Sequence, residues 1–392
     1  MKKENKKPRV AILGTRGYPV VYSGFETWVK EMCIHLGDKY ELHVYTHSNL
    51  VINKPAMING VYIHYFRTIE SKTLSQIIFT FFSTVHALFM NYDIYLYVST
   101  ANGPFGWLLK LFGKRTVINT DGLDWLRPKW QGMGGKYFKW GARQSSKSFD
   151  VLVSDAEGIA SYYHQNFKAD SVVITYGAYL QTSTNSLTIE EMGLQKDEYY
   201  LVVGRLIPDN HVEEIVKGFN ASKTNKKLVV VGDVPYHDEF ALRIKKYESE
   251  RIIFTGFITD QVLLKELFAN CYCYFHGHAF GGTNPSMLKA LAYGCCVLAH
   301  DNIFTREMRD GDKYGFYFNS NPDSVTEIIN ELDHKTAEVI FKKSQSRNRI
   351  TECYTWEKIT GEYDRLFQKM LAEPKWKCNA STYKVGNQSV HM

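Results

Sequence analysis

The sequence lacks the patterns that mark a redox, metal or dinucleotide protein. Its seven cysteines are an odd number with no C-x-x-C pair, so reduced thiols in a cytoplasmic setting are expected. Cys271 and Cys273 alternate along an apparent strand and Cys295-Cys296 opens another, which points to packing. The glycine-rich segment behind the first strand matches neither G-x-G-x-x-G nor the Gly-Lys-Ser/Thr of a phosphate-binding loop, which disfavours dinucleotide binding. No Asp-x-Asp pair is set to hold Mg²⁺ on phosphates, and His276 and His278 find no third ligand, so no metal is expected. The most apolar stretch, Ile77 to Met90, is broken by Ser83, Thr84 and His86 and is too short to span a bilayer. No apolar h-region follows the lysine-rich start, so no signal peptide is expected. The excess of 47 Lys and Arg over 41 Asp and Glu is too weak to argue for nucleic acid, and no nucleic-acid motif is present. It suits a phosphate-bearing partner or an anionic membrane surface.

What is present is ample material for two cores. A chain of 392 residues, 44% apolar and 22% charged, fits a globular protein of two domains. The 26 tyrosines suit sugar faces and apolar cores alike. Buried-strand runs at Arg9 to Leu13, Glu41 to Tyr45, Val61 to Tyr65, Ile94 to Val98, Thr116 to Asn119, Val151 to Ser154 and Val172 to Ile174 alternate with helical spacings at Phe25 to Leu36, Leu74 to Met90 and Glu157 to Phe167. A Thr-, Ser- and Asn-rich stretch from Gln181 to Gln195 reads as a linker. The pattern then restarts with strands near 200–203, 228–231, 252–254, 271–275 and 297–299 and helices near 212–219, 262–269, 286–293 and 324–332. Strands alternating with helices mean parallel, doubly wound α/β sheets. The expected division is 1–180, 181–355, a C-terminal helix over 356–371 packing back on the first domain, and a flexible tail over 372–392.

Four motifs sit where strands run into loops. The first is Gly14-Thr15-Arg16-Gly17, continuing through Gly24-Phe25-Glu26, where glycines let backbone N–H groups approach a ligand. The second is Asn119-Thr120-Asp121-Gly122, in which Asp121 either holds sugar hydroxyls or caps a helix. The third is Gly204-Arg205 through Asp209-Asn210, an arginine on a glycine turn suited to a diphosphate. The fourth runs from His276 through His278, Gly281, Gly282, Thr283, Asn284, Pro285 and Ser286 to Lys289, a Gly-Gly turn opening a helix whose N–H groups would meet phosphate. Between Trp125 and Phe149 there is no Asp or Glu, while Arg127, Lys129, Lys136, Lys139, Arg143 and Lys147 interleave with aromatics. That stretch is either an amphipathic helix on the sheet or a contact to anionic lipid headgroups or a lipid-diphosphate acceptor.

Together, from about Arg9 to Met370, these motifs resemble retaining glycosyltransferase family four of the GT-B fold, and more narrowly its bacterial rhamnosyltransferase branch, which includes capsule β-1,4-rhamnosyltransferases. The resemblance implies two facing Rossmann-like domains with a cleft between them. It implies that Glu26, with Gly14, Gly17 and Gly24, lines the acceptor side. Asp121 lies near the donor sugar, Arg205 binds the donor diphosphate, and Gly282 to Ser286 run under phosphates and sugar. Two departures stand out. The lysine usual five residues after the arginine is Asn210, and the glutamate that usually holds the ribose is Lys289. A carboxylate accepts from ribose hydroxyls and an ammonium only donates, so Lys289 is read as a replacement for the charge missing at position 210. Gly281 replaces a second glutamate, as the rhamnosyltransferase branch shares.

The implied activity is metal-independent, retaining transfer of a sugar, L-rhamnose above others, from dTDP- or UDP-rhamnose to a glycan or lipid-linked glycan, with no other cofactor. A cytoplasmic site with peripheral membrane contact accompanies it. The alternatives are a GT-B epimerase or hydrolase of a nucleotide sugar, and a nucleotide-sugar binder without turnover.

Overall fold

The computed structural model describes residues 6–19, 24–68, 74–127, 130, 132–183, 187–234 and 237–373; the expected tail beyond 373, Lys129 and residues 20–23 of the first motif lie outside them. The chain forms two compact units, one of residues 1–176 together with 356–392, the other of 177–355.

The first unit carries strands β1 (Arg9–Leu13), β2 (Glu41–His47), β3 (Met57–Ile58), β4 (Val61–Phe66), β5 (Ile94–Val98), β6 (Thr116–Asn119), β7 (Val151–Ser154) and β8 (Val172–Val173). They lie in the order β3-β4-β2-β1-β5-β6-β7-β8. All pairings but one are parallel, and β1, β5, β6 and β7 are almost wholly buried, as near-continuous Val, Ile, Leu and Tyr runs require. The exception is the antiparallel β3–β4 hairpin, which the sequence reading passed over. Asn59 and Gly60 turn it with φ of 48° and 80°, the left-handed pair that a two-residue hairpin demands. The helix Trp356–Ala372 belongs to this unit. Asp364 pairs with Lys39 and accepts the Tyr40 hydroxyl at 2.8 Å, and Tyr363 packs edge-on to Trp28 at 5.3 Å.

The second unit carries β9 (Tyr199–Val203), β10 (Lys227–Val231), β11 (Ile252–Gly256), β12 (Cys273–His276), β13 (Cys296–His300) and β14 (Gly315–Phe318), all parallel, in the order β11-β10-β9-β12-β13-β14. One side of the sheet buries Tyr200, Val202, Leu228, Val230, Phe275 and Leu298 against Ile215, Phe219, Val325 and Ile329 of two flanking helices. The strand expected from Cys271 starts at Cys273, because Cys271 follows directly on the helix Gln261–Asn270. Both sheets are therefore parallel, doubly wound and Rossmann-like, the α/β class expected.

Burying histidines in such sheets couples stability to pH. On β2 and β4 the rings of His43 and His64 meet nitrogen to nitrogen at 3.0 Å, and His43 also meets Glu41 at 2.9 Å. Desolvation is the main cause that lowers the pKa of His43, and it takes His64 and His47 down to about 4. These groups titrate near 6.5 when unfolded, so between about 6.5 and 4 the unfolded chain binds the extra protons. Their contribution is complete above about 6.5 and is lost as pH falls towards 4. Scanning calorimetry should show a falling Tm across that window, and a His64→Gln variant should show a shallower fall; a flat Tm for the natural chain would contradict this.

Candidate functional site

In a parallel sheet ligands bind beyond the carboxyl ends of the strands, where the strand order reverses. In the second sheet the reversal lies between β9 and β12, so the loops after these two strands are the first to consider. Both belong to motifs read from the sequence. They are fastened to each other: Ala279 N–H donates to the Asp209 carbonyl at 2.9 Å, and a His211 ring nitrogen, Nδ1, meets the Gly277 carbonyl at 2.7 Å. Since a carbonyl only accepts, Nδ1 carries the proton and Nε2 is left to face elsewhere. A Cβ on Gly277 would stand 2.0 Å from the Asn210 carbonyl oxygen, so only glycine allows the approach. Gly232 at the end of β10 is constrained the same way, with φ of 120° and a would-be Cβ 2.1 Å from the Gly204 carbonyl.

The residues expected here divide into those that face outward and those that build the loop. Arg205 is exposed, and among the described residues its guanidinium makes no ion pair, which sets aside a surface salt bridge. Asn210 is only 5% exposed; its amide donates to the Arg205 carbonyl at 2.9 Å, so it holds the turn that presents the arginine. Asn284 caps the helix Pro285–Tyr293, its Oδ1 accepting the Ser286 N–H at 2.9 Å, with Pro285 at the first helical position. That N–H is thereby taken, and the Asn284 N–H points at the Met308 sulfur. Gly282 and Thr283 are buried, and Gly281 has φ of 120°. His278 stacks on the buried His276 with ring centres 4.4 Å apart. Lys289 lies one turn into the helix, exposed by area, and partial desolvation lowers its pKa from the ordinary lysine value. Beneath the loop, His276, Gly282, Asn302, Thr305 and Met308 border a cavity of about 10 Å³. That holds at most one water.

Sequence reading missed His211, His300 and Asn302. His211 has φ of 47°, a left-handed value usual for glycine, and stacks on His300 at 4.2 Å. Burial takes His300 down to about 4, so it stays neutral. Asn302 donates to the His278 carbonyl at 3.1 Å and caps the helix Ile303–Arg309. The one signal in the sequence was His211 directly behind the Asn210 turn.

The first sheet reverses between β1 and β5. There the Gly14 carbonyl accepts from Asn102 at 3.2 Å and from Gln76 at 3.0 Å. Gly14 and Gly17 have φ of 87° and 104°. Gly24 opens the helix Gly24–Leu36. Glu26 is 3% exposed and its Oε1 accepts the Arg16 backbone N–H at 3.0 Å, which makes it a positioning residue of the turn. Asp121 does not cap a helix: it has φ of 56°, its N–H donates to Asn119 Oδ1 at 3.0 Å, and the short helix beyond it starts at Asp124 without a side-chain cap. Burial first, and then the negative charges of Asp121, Asp155 and Glu26 among others, push the Tyr176 hydroxyl well above its ordinary value. Asp155 and Tyr176 are further residues of this edge that the motifs did not include.

Among the described residues no group of three or more His, Cys, Asp or Glu is placed to hold a metal ion. No helix among them is long and apolar enough to cross a membrane.

Comparison with known proteins follows this division. Residues 188–355 match the family "Glycosyl transferases group 1", and residues 90–179 match a domain of unknown function, DUF1972. A Campylobacter jejuni N-acetylgalactosamine-N,N'-diacetylbacillosaminyl-diphospho-undecaprenol 4-alpha-N-acetylgalactosaminyltransferase is 24% identical over 66% of this chain and 71% of its own length. An uncharacterized glycosyltransferase of Methanocaldococcus jannaschii is 22% identical over 57% of this chain, which spans 60% of that relative. Sucrose-phosphate synthase of Thermosynechococcus elongatus superposes with a TM-score of 0.78 at 15% identity, over 93% of this chain and all of that one. Anabaena HepE in complex with UDP superposes with a TM-score of 0.73 at 14% identity, again over 93% of this chain and 100% of its own.

Replacing Gly277 by Ala should force the Asn210 carbonyl away and cost about 1–3 kcal/mol in stability. Denaturant unfolding that leaves the midpoint unmoved would contradict the fixed approach of the two loops. With the fold, the loops and these matches together, residues 188–355 match the glycosyl transferases group 1 family, and the chain has the GT-B fold of two Rossmann-like units.

Proposed function

We propose that this chain is a retaining glycosyltransferase that moves a sugar, L-rhamnose above others, from a nucleotide diphosphate donor to a glycan acceptor. The observation that carries the reading is the fastening of the Arg205 turn to the Gly277–Ser286 loop at the reversal of the second sheet. An exposed, unpaired guanidinium on a glycine turn offers an anion both charge and bidentate N–H donors. Rhamnose is supported by the Gly281-to-Ser286 sequence, in which Gly281 replaces a glutamate as in the rhamnosyltransferase branch.

In the reaction the acceptor hydroxyl attacks the anomeric carbon on the face from which the diphosphate leaves. The bond from that carbon to the diphosphate oxygen breaks, and the hydroxyl proton passes to a diphosphate oxygen. Charge grows on the leaving group, so Arg205 binds the transition state more tightly than the donor. Asn210 supplies no charge but fixes the turn under Arg205, and Lys289 is the nearby cation of the motif that can stand in for the lysine usual at position 210. Asp121, at the end of β6, offers a carboxylate for sugar hydroxyls. No metal ligand set enters this scheme. The Campylobacter relative carries a diphospho-undecaprenol acceptor in its name, which supports a lipid-linked glycan as acceptor here.

Lys289 also favours a second reading, a nucleotide-sugar binder without turnover, because a ribose held by a carboxylate in relatives here meets an ammonium. Release of nucleoside diphosphate from a panel of dTDP-rhamnose, UDP-rhamnose, UDP-glucose and GDP-mannose, with glycan acceptors, separates the readings. Acceptor-dependent release from a rhamnose donor is expected, and donor binding without release would support the second reading. Arg205→Ala should lower turnover by about 10²–10³ with Tm unchanged, since the side chain is exposed. Near-natural turnover in that variant would remove Arg205 from the mechanism.

A further inference from the structure

On the first unit, five cations share one open groove. Lys136, Lys139, Arg143 and Lys147 line it from the helix Met133–Ser148, Lys168 from the turn after the helix Glu157–Phe167, with Trp140 among them, around a volume of about 650 Å³. No carboxylate lines it. Among the described residues none of the five forms an ion pair. Spacings of three and four place like charges side by side on the helix, which disfavours folding unless something negative answers them.

The groove continues into an apolar surface. The Trp107 indole N–H donates to Gln144 of the same helix at 2.8 Å, and Lys110 donates to the Lys147 carbonyl, so the helix Gly106–Leu111 lies directly against it. That helix and its end expose Leu111 and Phe112 by 76% and 66%. Phe105, at its start, meets Phe81 at 6.4 Å, which joins on the helix Leu74–Met90 with its exposed Phe82 and Phe89. Met133, at the start of the cationic helix, is 88% exposed. Single exposed apolar residues need no explanation, but three adjoining helices that expose aromatics beside unanswered lysines do.

We propose that this face docks on an anionic lipid bilayer, the cations in the groove binding lipid phosphates while Leu111, Phe112, Trp107 and Trp140 enter the interface. The charge selects the occupant: the patch repels a basic partner, and its apolar half has no use for a soluble anion. Aromatics with cations, and no long apolar span, are the composition of a surface-lying rather than a spanning segment. The inference does not depend on donor chemistry, since none of these residues belongs to the Arg205 or Gly277–Ser286 loops.

The test is sedimentation of the full chain with vesicles of phosphatidylcholine alone or with added phosphatidylglycerol. Binding is expected only to the anionic vesicles and should weaken at about 0.5 M salt, where screening is short-ranged. The variant Lys139→Glu/Arg143→Glu/Lys147→Glu should bind at least about 100-fold more weakly. Leu111→Ser/Phe112→Ser should weaken binding at both salt concentrations. Nucleoside diphosphate binding, measured in parallel, should be unchanged and Tm not lowered in either variant, so loss of the donor site registers separately. Equal binding to neutral and anionic vesicles would overturn the proposal, as would natural binding by the charge-reversed variant. So would a groove that binds pyrophosphate while the chain binds no vesicle.

Discussion

The contact on which the second unit depends is a carbonyl pressed against a glycine. The Asn210 oxygen lies where a Cβ of Gly277 would be, at 2.0 Å, and this brings the loop after β9 against the loop after β12. Two further bonds, Ala279 to Asp209 and His211 to Gly277, close the seam. Because the sheet reverses direction at this point, both loops leave their strands with room above them. Arg205 is thereby held by its backbone, with its side chain free of any carboxylate among the described residues. A preorganised cation costs no rearrangement when charge develops on a leaving group, which is the physical content of the proposed catalysis.

The first unit repeats the device with different chemistry. At its reversal the Gly14 carbonyl is tied by Asn102 and Gln76, and Glu26 ties the Arg16 N–H. The charges of Asp121, Asp155 and Glu26 act together with burial to hold the Tyr176 hydroxyl protonated. One unit thus presents an exposed cation on its reversal loops, while in the other Glu26, Asp155 and Tyr176 are buried beneath the strand ends.

Much of this was legible in the residues. Val-, Ile- and Leu-rich runs such as those at 94–98 and 228–231 place buried parallel strands because only a sheet covered on both faces wants them. The glycines at 14, 17, 204, 281 and 282 mark strand-end loops, and at 14 and 17 a Cβ would stand 2.5 Å from Asn102 and 2.2 Å from Thr46. Partners distant in sequence were not legible. Asn210 reads as a phosphate contact from its place after Arg205, yet it folds under the turn because the Arg205 carbonyl, released from β9, needs a donor. Glu26 reads as a substrate-facing carboxylate but is bound by the Arg16 N–H. His211, His300 and Asn302 come from three loops, and no local spacing announces that they meet. The β3–β4 hairpin was announced by Asn59-Gly60, but strands of two residues are too short to carry a periodic signal.

The proposed function puts the nucleoside diphosphate on the loops joined by Gly277 and Asn210. Hydrogen exchange of the full chain, with and without UDP or dTDP, tests it without needing the sugar or the acceptor. The account predicts slowed exchange confined mainly to 204–211 and 277–289, and little slowing there in Arg205→Ala at the same nucleotide concentration. Nucleotide binding that leaves both segments exchanging at their free rates would contradict it.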